Sequence, residues 1–413
     1  MRGARHGGWA LAATLSLVAV GCHREGPAFL PTWSAAQPIF VPRSGSSNGY
    51  DALVLAAQDA QRNVDPNYLD RVWFTPERRR LAVQQSSSAI NKVATAVSKP
   101  INFEFTSRGP FDPSPNDRGW RMIGRALVWR IETSCATANY DAAVRDEVTA
   151  TKLGYSLTGG DVMDASLGFA TVDDARKQLA PKLALLGAGQ LNNLASGLER
   201  ALDARPRLSD TFEHEKLNML RSVQYVQDSF LKDDFRDLKK QLGPDVREAI
   251  THLEDLRDQS STKQAAYFRS FGEEANSESQ WLATISDLPL EKRKDADAPT
   301  LEKARPWRSL AKSFFSAGEP LLAMRDATLA RTRLMILQAR ILARIKSGQS
   351  APSDLSEFDK DLTTDPYTGR QFIYHGSGTN FSIYSVGEDL KDDLAETDEG
   401  FSSPDLTLEI PQN

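Results

Sequence analysis

The chain has 413 residues, 40% hydrophobic and 25% charged, with a formal net charge of −5. That is length for two or three domains at about 100–200 residues each. Its compact basic cluster Arg78-Arg79-Arg80 is too small for a nucleic-acid surface. The two cysteines, Cys22 and Cys135, leave no internal disulfide if Cys22 is consumed by processing.

Arg2, Arg5 and His6 lead into an apolar run, WALAATLSLVAV at 9–20. The run is shorter than the ~20 residues of a membrane-spanning helix and fits a signal peptide over residues 1–21. It closes with Ala19-Val20-Gly21-Cys22, which resembles a bacterial lipobox. The resemblance implies lipidation of Cys22 and a membrane partner held through palmitate-type acyl chains, at roughly 0.8 kcal/mol per buried CH₂. His23, rather than Asp, then implies outer-membrane sorting where a cell has two membranes. The alternative is ordinary signal-peptidase cleavage, since Ala19 and Gly21 also form a small-x-small site.

Residues 22–49 are rich in Pro, Ser and Gly and read as lipid anchor plus flexible tether. Their aromatics Phe29, Trp33 and Phe40 either pack on the body or stay unstructured. From Tyr50 the pattern is helical. Residues 50–62 form a short helix, and Thr75-Pro76 starts another that runs to about 97. Pro110, Pro113 and Pro115 punctuate an irregular loop over 101–118. Helices over 119–135 and 141–156 resemble one tetratricopeptide unit, with no second copy at ~34 residues. Further helices are expected over 161–179, 187–203, 209–242, 245–258 and 262–271. These complete an all-α, helical-hairpin body at 50–285. Residues 286–306 are charged and weakly periodic and read as a linker.

Residues 307–317 are a short helix before the organising one, LLAMRDATLARTRLMILQARILARIKSG at 321–348. There Ala327, Ala330, Leu334, Leu337, Ile341 and Ile345 recur at steps of three and four, marking an apolar face. After it, Asp365-Pro366-Tyr367-Thr368-Gly369 is a turn, 371–375 and 381–385 are strands, and an acidic loop follows. Residues 399–413 are a tail. The expected fold is mainly α, with a small C-terminal α/β module over 307–398.

The order DP-x-x-G-x-x-F-x-Y, then F-x-I-Y-S-V-G-x-D-x-x-D-D, resembles the C-terminal domain of major pseudopilins of type II secretion. A similar module is appended to many uncharacterised bacterial envelope proteins. The resemblance covers residues 329–393. It implies calcium at the loop after the second strand, with Ser385, Asp389, Asp392 and Asp393 as oxygen ligands; the alternative is a solvated acidic loop. The N-terminus departs from the family, since a lipobox stands where a prepilin site and a long apolar helix belong. A shared small fold does not carry function.

The enzyme motifs are not there. His23, His214, His252 and His375 include no HExxH spacing, and no Cys/His cluster suits zinc. Glu213-His214-Glu215 are adjacent on a helix and point in different directions. Cys135 reads as a core cysteine. Trp120 and Trp129 fall on opposite sides of their helix. The reading is therefore a lipid-anchored cell-envelope protein with a structural or protein-interaction role, an unknown envelope protein as partner, and no cofactor besides calcium. The alternatives are an extracytoplasmic hydrolase with acid–base carboxylates in the helical body, and a calcium-stabilised assembly module.

Overall fold

Asn48 opens the first helix. Its side-chain oxygen accepts the Tyr50 amide at 3.0 Å and the Asn102 amide at 2.9 Å, capping one element and pinning a distant loop to it. A computed structural model describes residues 30–33, 40–65, 75–107, 109–112, 114–299, 305–395 and 405–408. The signal peptide and Cys22 lie outside the described residues.

The body begins with α1 (Gly49–Asn63), α2 (Pro76–Ala96), α3 (Asp117–Ala136), α4 (Tyr140–Leu157), α5 (Val162–Leu179) and α6 (Ala188–Asp203). Local chemistry sets most starts. Thr75 caps α2 with Pro76 at its first position, and Asp161 caps α5 by accepting the Met163 and Asp164 amides at 3.0 Å. Successive helices from α1 to α5 pack on each other, and α6 packs on α4. One continuous core runs through all six and on into the C-terminal module.

Next come α7 (Leu208–Lys232), α8 (Arg236–Leu242), α9 (Arg247–Leu256) and α10 (Ser261–Ile285). The single helix expected over 209–242 is in fact two. Asp233 turns left-handed at φ +56°, and its amide bonds back to the Phe230 carbonyl at 3.2 Å, ending α7. The helix expected over 262–271 instead runs on to Ile285, past Gly272, where the Trp33 ring packs on the helix. Helices α7 and α10 pair along their lengths. Leu208, Phe212, Leu282 and Ile285 belong to the main core. Met219, Val223, Phe230, Phe268 and Phe271 belong to a second core, completed by Leu238, Leu253, Trp307 and Leu310. The pair is thus a helical hairpin with a hydrophobic core of its own.

The chain then forms α11 (Leu290–Lys294), α12 (Arg308–Phe315) and α13 (Gly318–Lys346), followed by α14 (Lys360–Thr363) and strands β1 (Ile373–Ser377) and β2 (Asn380–Tyr384). Residues 286–294, read as linker, are held on the module: the Leu290 and Glu291 amides donate to the Pro366 and Tyr367 carbonyls at 3.2 and 2.8 Å. Helix α13 forms where the periodicity places it. From Thr328 to Ala343 it is buried beyond the single expected face, because α5 and α6 cover one side and the module covers another. The strands pair antiparallel, Ile373 opposite Tyr384 and Ser377 opposite Asn380, with Gly378 at φ +64° in the turn. Ser385 bridges to Leu406 beside them. The protein is a mainly α helical-hairpin body with a small C-terminal module of long helix and two strands.

Candidate functional site: a groove between two helices and a cleft beneath the C-terminal module

The four residues expected to hold calcium each take part in hydrogen bonds within the module. Ser385 is fully buried, and its hydroxyl donates to Asp365 Oδ2 at 2.8 Å. Asp389 Oδ1 accepts the Lys391 amide at 3.0 Å. Asp392 Oδ1 accepts the Tyr384 hydroxyl and the Leu394 amide, both at 3.0 Å. The Asp393 amide donates to Asp405 Oδ2 at 3.1 Å. Burial, then the carboxylates of Asp392 and Asp405, push the Tyr384 phenol up to about 12. Among the described residues no group of three or more His, Cys, Asp or Glu side chains is placed to hold a metal ion.

Glu213, His214 and Glu215 diverge as adjacent helical residues must. Glu213 pairs with Lys216, the His214 ring stacks on Phe105 at 4.5 Å, and Glu215 Oε2 accepts the Val162 amide at 3.3 Å. Cys135 is half-buried, its thiol pushed up by burial and by the neighbouring Glu147.

Concave surfaces open at several places among the described residues, a cleft and a groove among them. The first is a cleft of about 710 Å³ where α13, α11 and the module meet. That volume suits a small ligand. Trp281, Ile285, Leu290, Leu322 and Leu406 are its apolar walls. Its polar floor is Asp326, 1% exposed and paired with both Arg293 and Arg325. Nearby Tyr367 is held protonated well above the usual phenol range by burial and then by Asp326. Arg331 continues the floor inward, 3.4 Å from Asp173, which also pairs with Arg176 at 3.1 Å and Lys177 at 2.9 Å. Burial opposes charge on Asp173, but Arg176, Arg331 and Lys177 outweigh it and hold the carboxyl below its ordinary range. Beyond Arg176 lies Glu147, 1% exposed, which burial pushes up to about 8 despite that guanidinium. These carboxylates are locked to cations or neutral, and act as seams between elements.

The second surface is a groove of about 590 Å³ between α3 and α5. Each helix presents a stripe at steps of three and four: Arg121, Gly124, Arg125, Val128 and Trp129 from α3, and Met163, Ser166, Leu167, Ala170, Thr171 and Asp174 from α5. Met324 of α13 closes one part of it. Gly124 makes the floor low, since a Cβ there would lie 2.9 Å from Thr171 Oγ1. Met163 is 57% exposed, an apolar side chain left in solvent at the lip. Trp129 lines this groove, whereas Trp120 points the other way and donates to the Leu53 carbonyl at 3.3 Å. The two rings thus serve separate contacts, as their spacing predicts.

Asp326 and the groove are not among the residues singled out from the sequence. An Asp on the apolar stretch of a long helix is a readable signal for a buried ion pair. The groove has no such signal, because it exists only once α3 and α5 are side by side.

No family model, curated protein or solved structure matches this chain.

Proposed function

We propose that this is a lipid-anchored protein of the bacterial cell envelope, and that it works by binding an amphipathic helix of a protein partner in the α3–α5 groove. The anchor rests on the lipobox-like Ala19-Val20-Gly21-Cys22. No helix among the described residues is long and apolar enough to cross a membrane. The groove is the observation that carries the binding role: two helical stripes with an apolar floor and exposed Met163, the form that receives a partner helix by its i, i+3, i+4 and i+7 anchors. Arg121 and Arg125 on its α3 side outnumber Asp174 on the other, which favours a helix carrying carboxylates beside its apolar face. Methionine suits such a surface because it repacks readily.

The test places a photo-crosslinking side chain at Ala170 in intact cells. Capture of a helical segment with an apolar stripe and flanking acids, lost in Met163→Asp and Arg121→Glu, supports the reading. Capture of lipid alone, or capture unaffected by both substitutions, overturns it. Metabolic labelling with a lipid analogue, comparing wild type with Cys22→Ala, tests the anchor separately.

A further inference from the structure

The segment behind Cys22 reads as a free leash, but part of it is bound. Leu30 and Trp33 pack on the second core, the one carried by the α7–α10 hairpin. The Trp33 amide donates to Gln224 Oε1 at 3.0 Å, and Gln227 Nε2 donates to the Pro31 carbonyl at 2.9 Å. Gln224 and Gln227 are three apart on α7, so both face the same side and grip the segment at two points. The indole lies on α10 at Gly272, where an added Cβ would sit 2.4 Å from the ring. Only glycine lets the ring approach so closely. A hydrogen-bonded backbone, two gripping amides and a glycine niche make this a fitted seat.

After the seat the chain turns to the main body. Phe40 meets the Tyr50 ring at 5.1 Å, and the Arg43 amide donates to Asp51 Oδ1 at 2.6 Å. Travelling from Cys22, the chain therefore meets the second core first and the main core afterwards. Leu30 is eight residues from Cys22, a reach of about 28 Å when fully extended. Along α7 the main core is reached at Phe212 and Leu208, about 18 and 24 Å beyond Gln224 at 1.5 Å per residue.

We infer that residues 30–33 are a strap that fixes how the protein stands on its membrane, seating the hairpin and its second core next to the lipid surface. The inference rests on the lipid-anchor reading of Cys22. The interaction surface is the strapped side of the hairpin, and its partner is the headgroup layer of the bilayer that holds the acyl chains. A free tether of 22–49 would let the body tumble at any orientation; the strap shortens it to a leash attached at one place.

The experiment uses the full-length lipidated chain, with Cys135→Ala to remove the remaining thiol. It is purified from bacterial membranes and reconstituted into phosphatidylethanolamine–phosphatidylglycerol vesicles bearing an energy-transfer acceptor on the headgroups. A donor dye is placed at Leu231→Cys on the hairpin or at Leu185→Cys on the main body, both solvent-exposed positions at 61% and 60%. Stronger transfer from position 231 than from 185 is expected. Trp33→Ala, which empties the seat, and Gly272→Leu, which fills it, should both abolish the difference while vesicle retention is unchanged. Equal transfer from the two positions in a retained protein overturns the strap and leaves the anchor reading intact. So does a difference that survives both substitutions. Failure of Cys22 to take up a lipid label, with loss from the vesicles, overturns the anchor reading and the orientation with it.

Discussion

The Ser385 hydroxyl and the Asp365 carboxylate meet at 2.8 Å inside the module, joining the end of the second strand to the turn that precedes the first. Asp365 is 2% exposed and also accepts the amides of Tyr367 at 2.9 Å and Val386 at 3.3 Å. The Ser385 hydroxyl is thus a structural clamp between the two segments. Burial raises the Asp365 carboxyl even against these donors.

Removing the clamp from either side should have unequal effects. Ser385→Ala deletes one donor and should cost about 1 kcal/mol. Asp365→Ala strands the Ser385 hydroxyl and two buried amides, so it should cost about 3 kcal/mol. Denaturant midpoints of the two variants test this; equal losses would show that the amides find other partners.

The Asp326 pair joins α11 to α13 and should rank among the costliest single deletions. Arg293 is 8% exposed and Asp326 1%. Arg293→Ala leaves Asp326 with Arg325 alone and loosens α11, which its backbone bonds to Pro366 and Tyr367 still hold, for an expected loss of about 3 kcal/mol. Arg236→Ala removes a pair whose cation is 89% exposed, and its melting midpoint should not move. Thermal unfolding of both variants in one buffer makes the comparison.

Much of this fold is written locally. Thr75-Pro76 and Asp161 announce helix starts because a cap needs only the next three residues. The break at Asp233 is less legible: Asp adopts the left-handed conformation less readily than Gly, and the helical pattern runs straight through it. The all-round burial of α13 depends on a module that follows it and a body that precedes it. The seat of Trp33 beside Gly272 joins segments far apart in sequence, so the contact made at Gly272 is not legible from its neighbours. The same limit governs the sites. The divergence of Glu213, His214 and Glu215 is readable from helix geometry alone, whereas a groove shared by α3 and α5 is not.

Glu147 should make stability depend on pH. Its carboxyl ordinarily titrates at 4.5 and in the fold is pushed up to about 8. Between those values the unfolded chain has lost the proton that the folded chain keeps. Stability therefore falls as pH rises through that window, by up to about 1.4 kcal/mol per pH unit for one proton. The neutral form is fully accommodated only below the unfolded value. Glu147→Gln should flatten this part of the profile and stabilise the protein most at pH 8. Urea midpoints of wild type and variant at several pH values between 5 and 8 test it, and parallel profiles would mean that Glu147 is already ionised in the fold.

Alanine should have opposite signs at two kinds of helical glycine. On propensity alone it is better than glycine in a helix by about 1 kcal/mol. Gly189 in α6 has nothing within 4 Å of a built Cβ, so Gly189→Ala should realise part of that gain. Gly154 and Gly168 lie where α4 and α5 cross closely. A Cβ on Gly154 would sit 2.5 Å from the Gly168 carbonyl oxygen, and one on Gly168 would sit 2.3 Å from the Gly154 oxygen. Both obstacles are backbone, so neither can rotate away, and the helices must separate. That overpacking costs about 1–3 kcal/mol, enough to reverse the propensity gain. Gly154→Ala and Gly168→Ala should therefore both destabilise. The double variant should cost less than the sum of the two, because helices already pushed apart by the first methyl admit the second more easily. A double-variant cycle on denaturant midpoints measures the coupling. Strict additivity would mean that each glycine is constrained by something other than the shared α4–α5 crossing.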